Sequence, residues 1–254
     1  MAIIFNGREV KLGRPNFVVD PREPKIDKFF NRKTGLFEAR HDVSPVDWTH
    51  GKKKFGMMNN DTWGCCTASG CGHAAQIWTM NAYGWEFTAP DPAVLQFYFN
   101  STGAGPGHDN DPGGDEPTVL AYFQKNGLAK HHVIGYGTAR NIHNHNENTR
   151  LIKDFGGLYI GFQVPQGIPE DPGSVWDLPA GLPIEGGHCV FIAGRLANGN
   201  YIVITWGEIV YMTPAFMDAY NQEIHVILAE SWFKAGRCPS GFDVEALEAE
   251  MKAM

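Results

Sequence analysis

The sequence predicts an α+β protein in two lobes, a helical lobe first and a lobe of antiparallel strands second. Before about residue 149 the signals are helical: small and apolar residues at steps of three and four within 66–82, then cap and stop residues around 91–100 and 115–126. From 150 onward the character changes to β-branched and aromatic runs, as in LYIGFQV (158–164), HCVFIAGRL (188–196) and YIVITWG (201–207). Between the last two runs stands Asn198-Gly199, a strong signal for a hairpin turn.

Taken in order, residues 1–44 are rich in charge, Pro and Asn, with turn signals in GRP, DPREP and NRKTG. They are expected to form an extended, irregular arm running over a surface. The globular domain then spans 45–254, as a helical lobe of about 45–149, a β lobe of about 150–235 and a C-terminal helix of about 242–253. In CTASGCGHAAQIWTMNA (66–82), Ala68, Cys71, Ala75, Trp78 and Ala82 share one face of a predicted central helix, and small residues allow neighbours close. A second helix is predicted over 91–100, with Asp91 as N-cap and Pro92 at its first position. A third is predicted over 115–126, stopped by Gly127. In the second lobe, 214–221 reads as a short helix and 224–228 as a further strand.

Composition narrows the function. The 254 residues are 43% hydrophobic and 19% charged, enough apolar side chain for a core. A net charge of −7 sets up no field for nucleic acid or an anionic membrane. Lys52–Lys54 is the one basic cluster and reads as a solvated loop. Apolar runs such as 189–193 fall far short of the ~20 residues that cross a bilayer, and the N-terminus does not have the pattern of a signal peptide. Five cysteines, an odd number, are expected as mostly free thiols in a reducing compartment.

Two segments carry chemistry. In NNDTWGCCTASGCGH (59–73), Cys66 opens the predicted helix, where free N–H groups and the dipole stabilise a thiolate. In GGHCVFIAG (186–194), a Gly-Gly step places His188 at the start of a strand, suited to act as general base and acid. Cys65 is the rival thiol and is given a structural or exposed role. His73, about two helical turns past Cys66, reads as a core histidine, while Cys71 and Cys189 read as packing residues. The acidic stretch GHDNDPGGDEP offers Asp109, Asp111 and Asp115 but not EF-hand spacing, so a solvated turn leading into a helix cap is expected. The pairs His131-His132 and His143/His145 lack a helical i, i+4 arrangement. Neither a metal nor a cofactor is expected.

VDW (46–48), the Cys-bearing turn and helix (59–78), GGHCVFIAG (186–194) and VITWG (203–207) together resemble the ordered blocks of papain-like cysteine peptidases. The likeness is closer to papain-like proteins of bacteriophages, through GCCT (64–67), GH (72–73), TWGE (205–208) and MTPAFMDAY (212–220). The resemblance implies a papain-like two-lobe fold with Cys66 as nucleophile and His188 as base. Asn60, six residues before Cys66, takes the place of the oxyanion-binding Gln, with the Cys66 N–H as second donor. The His-orienting Asn of the family would fall at Ile204 or Thr205, which leaves Thr205 or Glu208 for that task; Trp206 would shield the His188 pair from water. A cysteine hydrolase acting on a peptide or amide substrate follows. The alternative is a non-catalytic head or tail component of a phage virion, with residues 1–44 tying neighbouring subunits together. Either is expected in a bacterial host's cytoplasm or in the phage particle. An arm of 44 residues is too short for the folded inhibitory propeptide of secreted relatives, so control by access or assembly is expected. An open groove holding Cys66 and His188 would favour the enzyme; a sealed Cys66 with the arm on neighbouring subunits would favour the structural role.

Overall fold

A computed structural model describes residues 1–18, 21, 23–30, 42–105, 111–238 and 242–253. Its centre is helix α1, Cys66–Tyr83, buried along nearly its whole length. The small residues are what admit it to the core. A side chain at Gly70 would stand 2.9 Å from the Tyr159 ring, and one at Gly72 would stand 2.4 Å from the Met58 sulfur. The helix stops where Gly84 turns left-handed (φ 74°) and its N–H returns to the Met80 carbonyl. Helix α2, Asp91–Thr102, carries Asp91 and Pro92 in its first turn, with Pro90 rather than Asp91 at the cap. Helix α3, Glu116–Asn126, is capped by Asp115, whose carboxylate accepts from the Thr118 N–H at 3.0 Å.

Against α1 packs a sheet ordered β4 (Val133–Thr138), β10 (Asn221–Ala229), β5 (Leu158–Pro165), β7 (Ile184–Arg195), β8 (Tyr201–Thr205), β9 (Glu208–Met212) and β6 (Val175–Trp176). Neighbours are antiparallel except β6 and β9. A short strand β3, Val46–Asp47, adds to β7 beside Arg195 and Gly194. The Asn198-Gly199 turn forms as expected, closed by the Leu196 N–H on Asn200 O at 2.8 Å. The run 201–207 is not one strand. It breaks at Trp206 and Gly207, both at positive φ (46° and 77°), the geometry of a two-residue hairpin.

Strand β4 and the helix that follows it are among the elements the sequence did not announce. Strand β4 lies within the stretch assigned to the helical lobe yet pairs with β10. Its Gly135 and Gly137 lower strand propensity, but a side chain there would press on Leu247 (3.1 Å) or the Pro24 carbonyl (2.8 Å). Helix α4, His145–Phe155, is capped by Asn144 on the Glu147 N–H. Helices α5 (Pro214–Tyr220), α6 (Glu230–Lys234) and α7 (Val244–Ala253) complete the chain.

The N-terminal segment differs most from expectation. Residues 19, 20, 22 and 31–41 lie outside the described set, and residues 15–18 and 42–44 are irregular and mostly exposed, but most of the other described residues of the supposed arm fold onto the domain. Strands β1 (Ala2–Phe5) and β2 (Arg8–Lys11) form a hairpin about Asn6 and Gly7, both at positive φ. Phe5, Val10 and Leu12 are buried, with the Phe5 ring 5.0 Å from Trp206. Further on, Ile26 and Phe29 are buried in a single 3-10 turn, and Phe30 meets Phe155 and Phe242 edge-on. Apolar residues at these positions make the segment part of the core. Among the described residues, no helix is long and apolar enough to cross a membrane.

Candidate active site

Cys66 is the first residue of α1 and is 1% exposed. Burial pushes its thiol up to about 12; the main-chain N–H groups of Cys189 and Gly13 oppose that shift, and Glu116 adds to it. That contact with Cys189 brings the helix start to β7, where the preceding residue is His188. The His188 ring is fixed on three sides. Its Nε2 lies 2.8 Å from the Thr205 hydroxyl, its face stacks on Trp206 (centroids 4.3 Å, 15° between planes), and Phe162 meets it edge-on at 5.8 Å. Its Nδ1 is buried without a hydrogen-bond partner. Burial, helped by the nearby His73, depresses His188 to about 3. The resting pair is therefore a neutral thiol and a neutral imidazole.

The choice between Thr205 and Glu208 falls to Thr205 by contact. The Trp206–Gly207 turn carries Glu208 across the hairpin from Thr205, where it lines a recess with Asn6, Arg8 and Lys54. A positive φ at a bulky Trp is uncommon backbone geometry, and here it lays the indole on the imidazole.

Asn60 is buried and donates from Nδ2 to two carbonyls, Trp63 O (3.0 Å) and Lys11 O (3.2 Å). The Lys11 carbonyl also accepts from Trp206 Nε1 at 3.4 Å. The amide expected to meet a substrate carbonyl thus meets a carbonyl of the chain's own N-terminal segment.

Residues 11–14 cover the site. The Lys11 N–H donates to Asn60 O (2.9 Å), the Gly114 N–H to Gly13 O (2.8 Å), and the Arg14 N–H to Gly187 O (3.1 Å), one residue before His188. Gly13 is compressed between glycines: a Cβ on it would stand 1.7 Å from the Gly64 carbonyl oxygen, and one on Gly113 would stand 2.1 Å from Gly13 O. Beside it the Arg14 guanidinium is buried against Glu116 and Glu223. Sequence reading missed all three residues, since they lie 102 and 209 positions apart.

The remaining candidates have structural surroundings. Cys65 is buried, its sulfur 3.5 Å from Met58 O and 3.6 Å from Ser69 Oγ, and burial raises its thiol; an exposed role is excluded. Cys71 and Cys189 are buried, and like Cys65 and Cys66 they are free thiols. His73 bonds Gly56 O at 2.9 Å and burial lowers it to about 4, as a core histidine. Of the acidic stretch, Asp109 lies outside the described residues and Asp115 caps α3. Asp111 braces the Cys66 turn, accepting from the Gly64 N–H (2.8 Å) and from the Tyr98 hydroxyl. His143 and His145 both reach Asp218, and His131 stacks on Trp78. Among the described residues, no cluster of three or more His, Cys, Asp or Glu is arranged to hold a metal.

No protein-family model and no curated protein matches this sequence. Solved structures match in shape. The chain is similar to xylellain, a cysteine protease from Xylella fastidiosa, with a TM-score of 0.67 at 14% identity, covering 87% of this chain and 97% of that one. The fold is papain-like. It is also similar to procathepsin B S9 from Trypanosoma congolense (TM-score 0.59, 10% identity, 87% of this chain and 86% of that one). A third match is bromelain from Ananas comosus, solved with the inhibitor E64 (TM-score 0.53, 14% identity, 74% and 99%). These matches bear out the two-lobe α+β expectation, while the closer likeness to phage proteins is not shown by them.

Proposed function

We propose that this papain-like chain is a cysteine peptidase held at rest by its own N-terminal segment. The observation that carries the reading is His188: oriented by Thr205 and Trp206, it keeps Nδ1 buried and unpartnered beside the helix that begins with Cys66. A nucleophile, a base and an orienting group are the parts covalent catalysis needs. With residues 11–14 withdrawn, water and substrate reach the pair, and the desolvation that keeps both groups neutral is relieved. The thiol proton passes to His188 Nδ1 as sulfur attacks the substrate carbonyl. The oxyanion takes N–H donors from Asn60 and the Cys66 main chain. His188 returns the proton to the leaving amine, and water, deprotonated by the same nitrogen, releases the acid from the thioester.

The reading is tested by treating the native chain and Gly13→Ala with an epoxide thiol reagent and mapping adducts by mass spectrometry. We expect Cys66 to be modified selectively in Gly13→Ala near neutral pH, and far more slowly after His188→Ala is added. An inert Cys66 in folded Gly13→Ala overturns the peptidase. One observation favours the rival reading, a non-catalytic virion component: Cys66 is sealed. Residues 11–14 of the same chain, however, lie over it.

A further inference from the structure

The Arg14 side chain occupies a pocket built by the folded domain. Its Nε donates to Glu116 Oε1 and Oε2 at 2.7 and 2.9 Å, its NH2 group to Glu223, and its NH1 group to Gln222 Oε1 at 2.5 Å. Glu116 comes from the first turn of α3 and Glu223 from β10, and both are almost wholly buried. The floor is Gly161 of β5, where a Cβ would stand 2.2 Å from Glu116 Oε1 and 2.3 Å from Arg14 Nε. Any other residue there would fill the pocket.

Placement separates this pocket from an ordinary buried ion pair. Arg14 follows the glycine that covers the Cys66 sulfur. Its main chain forms an antiparallel bridge with Gly187, the residue before His188, in the way an extended peptide adds to a sheet edge. The pocket therefore opens beside the catalytic pair, within reach of any extended chain lying across it. Once Arg14 leaves, the Glu116 and Glu223 carboxyls face each other in the interior, and the side chain near Glu223 Oε2 is His225, its Nε2 3.6 Å away. Such a site calls for a cation, and a forked guanidinium satisfies two carboxylates better than a point ammonium.

We infer that Glu116 and Glu223 form a specificity pocket for an arginine side chain of the substrate, filled at rest by Arg14. This rests on the peptidase reading and names its substrate class: peptides with arginine close to the scissile bond.

Two measurements test it, using full-length Arg14→Gln. Thermal unfolding is followed with N-acetylarginine methylamide or N-acetylnorleucine methylamide added. The arginine compound is expected to raise the midpoint by several degrees and the norleucine compound not at all, with the rise lost when Glu223→Gln is added. Fluorogenic peptides then carry Arg, Lys or Leu in turn at each of three positions before the reporter. At one position we expect Arg to be cut at least tenfold faster than Leu and faster than Lys, with the Arg-to-Leu ratio falling at least tenfold on adding Glu223→Gln. Cleavage without an arginine preference overturns the pocket and leaves the peptidase standing. Cleavage of no peptide, with Cys66 unlabelled, overturns the peptidase, and the thermal arm still decides whether the pocket takes a guanidinium. If Arg14→Gln does not fold, Gly13→Ala, which leaves both glutamates intact, carries the peptide series with the same outcomes.

Discussion

Neighbouring residues of one segment meet two buried sites with opposite electrostatics. Around Arg14 each guanidinium nitrogen is placed on an acceptor, while burial and the neighbouring Glu223 push the Glu116 carboxyl well up. At Gly13 the interior holds groups that avoid charge: a thiol raised to about 12 and an imidazole lowered to about 3, with Nδ1 unpartnered. The first site is held together by its charges; the second is silent because charge is excluded. A buried ion pair repays its desolvation only through matched geometry, whereas a buried nucleophile and base stay neutral unless water or a partner arrives. The same short stretch thus places a guanidinium among carboxyls at one residue and lies over a neutral thiol and imidazole at the next.

Substituting Gly13 breaks this comparison most sharply. Gly13→Ala brings a methyl into the Gly64 carbonyl, so the segment lifts from Cys66 and thiol labelling rises at least a hundredfold over the native chain. Glu116→Leu takes one of two carboxyls from the buried Arg14 and leaves it Glu223 and Gln222, and urea unfolding should report a loss of about 3 kcal/mol, the low end of the range for breaking a buried pair. Acid probes the neutral side. His188 (about 3), His73 and His131 (each about 4) are held by burial below the ordinary value of 6.5. A folded value below the unfolded one means the unfolded chain binds more protons, so stability is complete above pH 6.5 and falls as pH drops towards 4. The loss is about 1.4 kcal/mol per pH unit for each histidine in that window, measured by unfolding at stepped pH. His73→Gln should shallow the slope. Thr205→Val, the mildest change, removes the hydroxyl from His188 Nε2; about 1 kcal/mol of stability is lost, and Cys66 labelling in the Gly13→Ala background slows several-fold.

How far the sequence reached is shown by two of its Asn-Gly turns. Asn198-Gly199 stands between long β-branched runs and was read correctly; Asn6-Gly7 stands between AIIF and REVK, four residues each side, inside a stretch dominated by charge and Pro. The local chemistry is the same, but the second hairpin is decided by burial of Phe5, Val10 and Leu12 against distant residues. The positions of Cys66 and His188 were legible, because each sits at a recognisable local junction, a helix start and a Gly-Gly step within a strand. Thr205 and Glu208 were inseparable until the register of the Trp206–Gly207 turn was known. Asn60 was named as a donor, but its acceptor, Lys11 O, lies 49 residues away and carries no local mark. Arg14, Glu116 and Glu223 were invisible for the same reason, since each is an unremarkable charged residue until the fold assembles them.

Order along the chain gives the cover one more consequence. A ribosome makes the hairpin and Gly13 before it makes Cys66, and long before His188 and Glu223. When the last strands close the sheet, the plug is already attached and waiting at the place it will fill. On the proposed peptidase reading, the nascent protein would pass through no stage in which a finished site stands bare, and the timing of synthesis would itself be the guard.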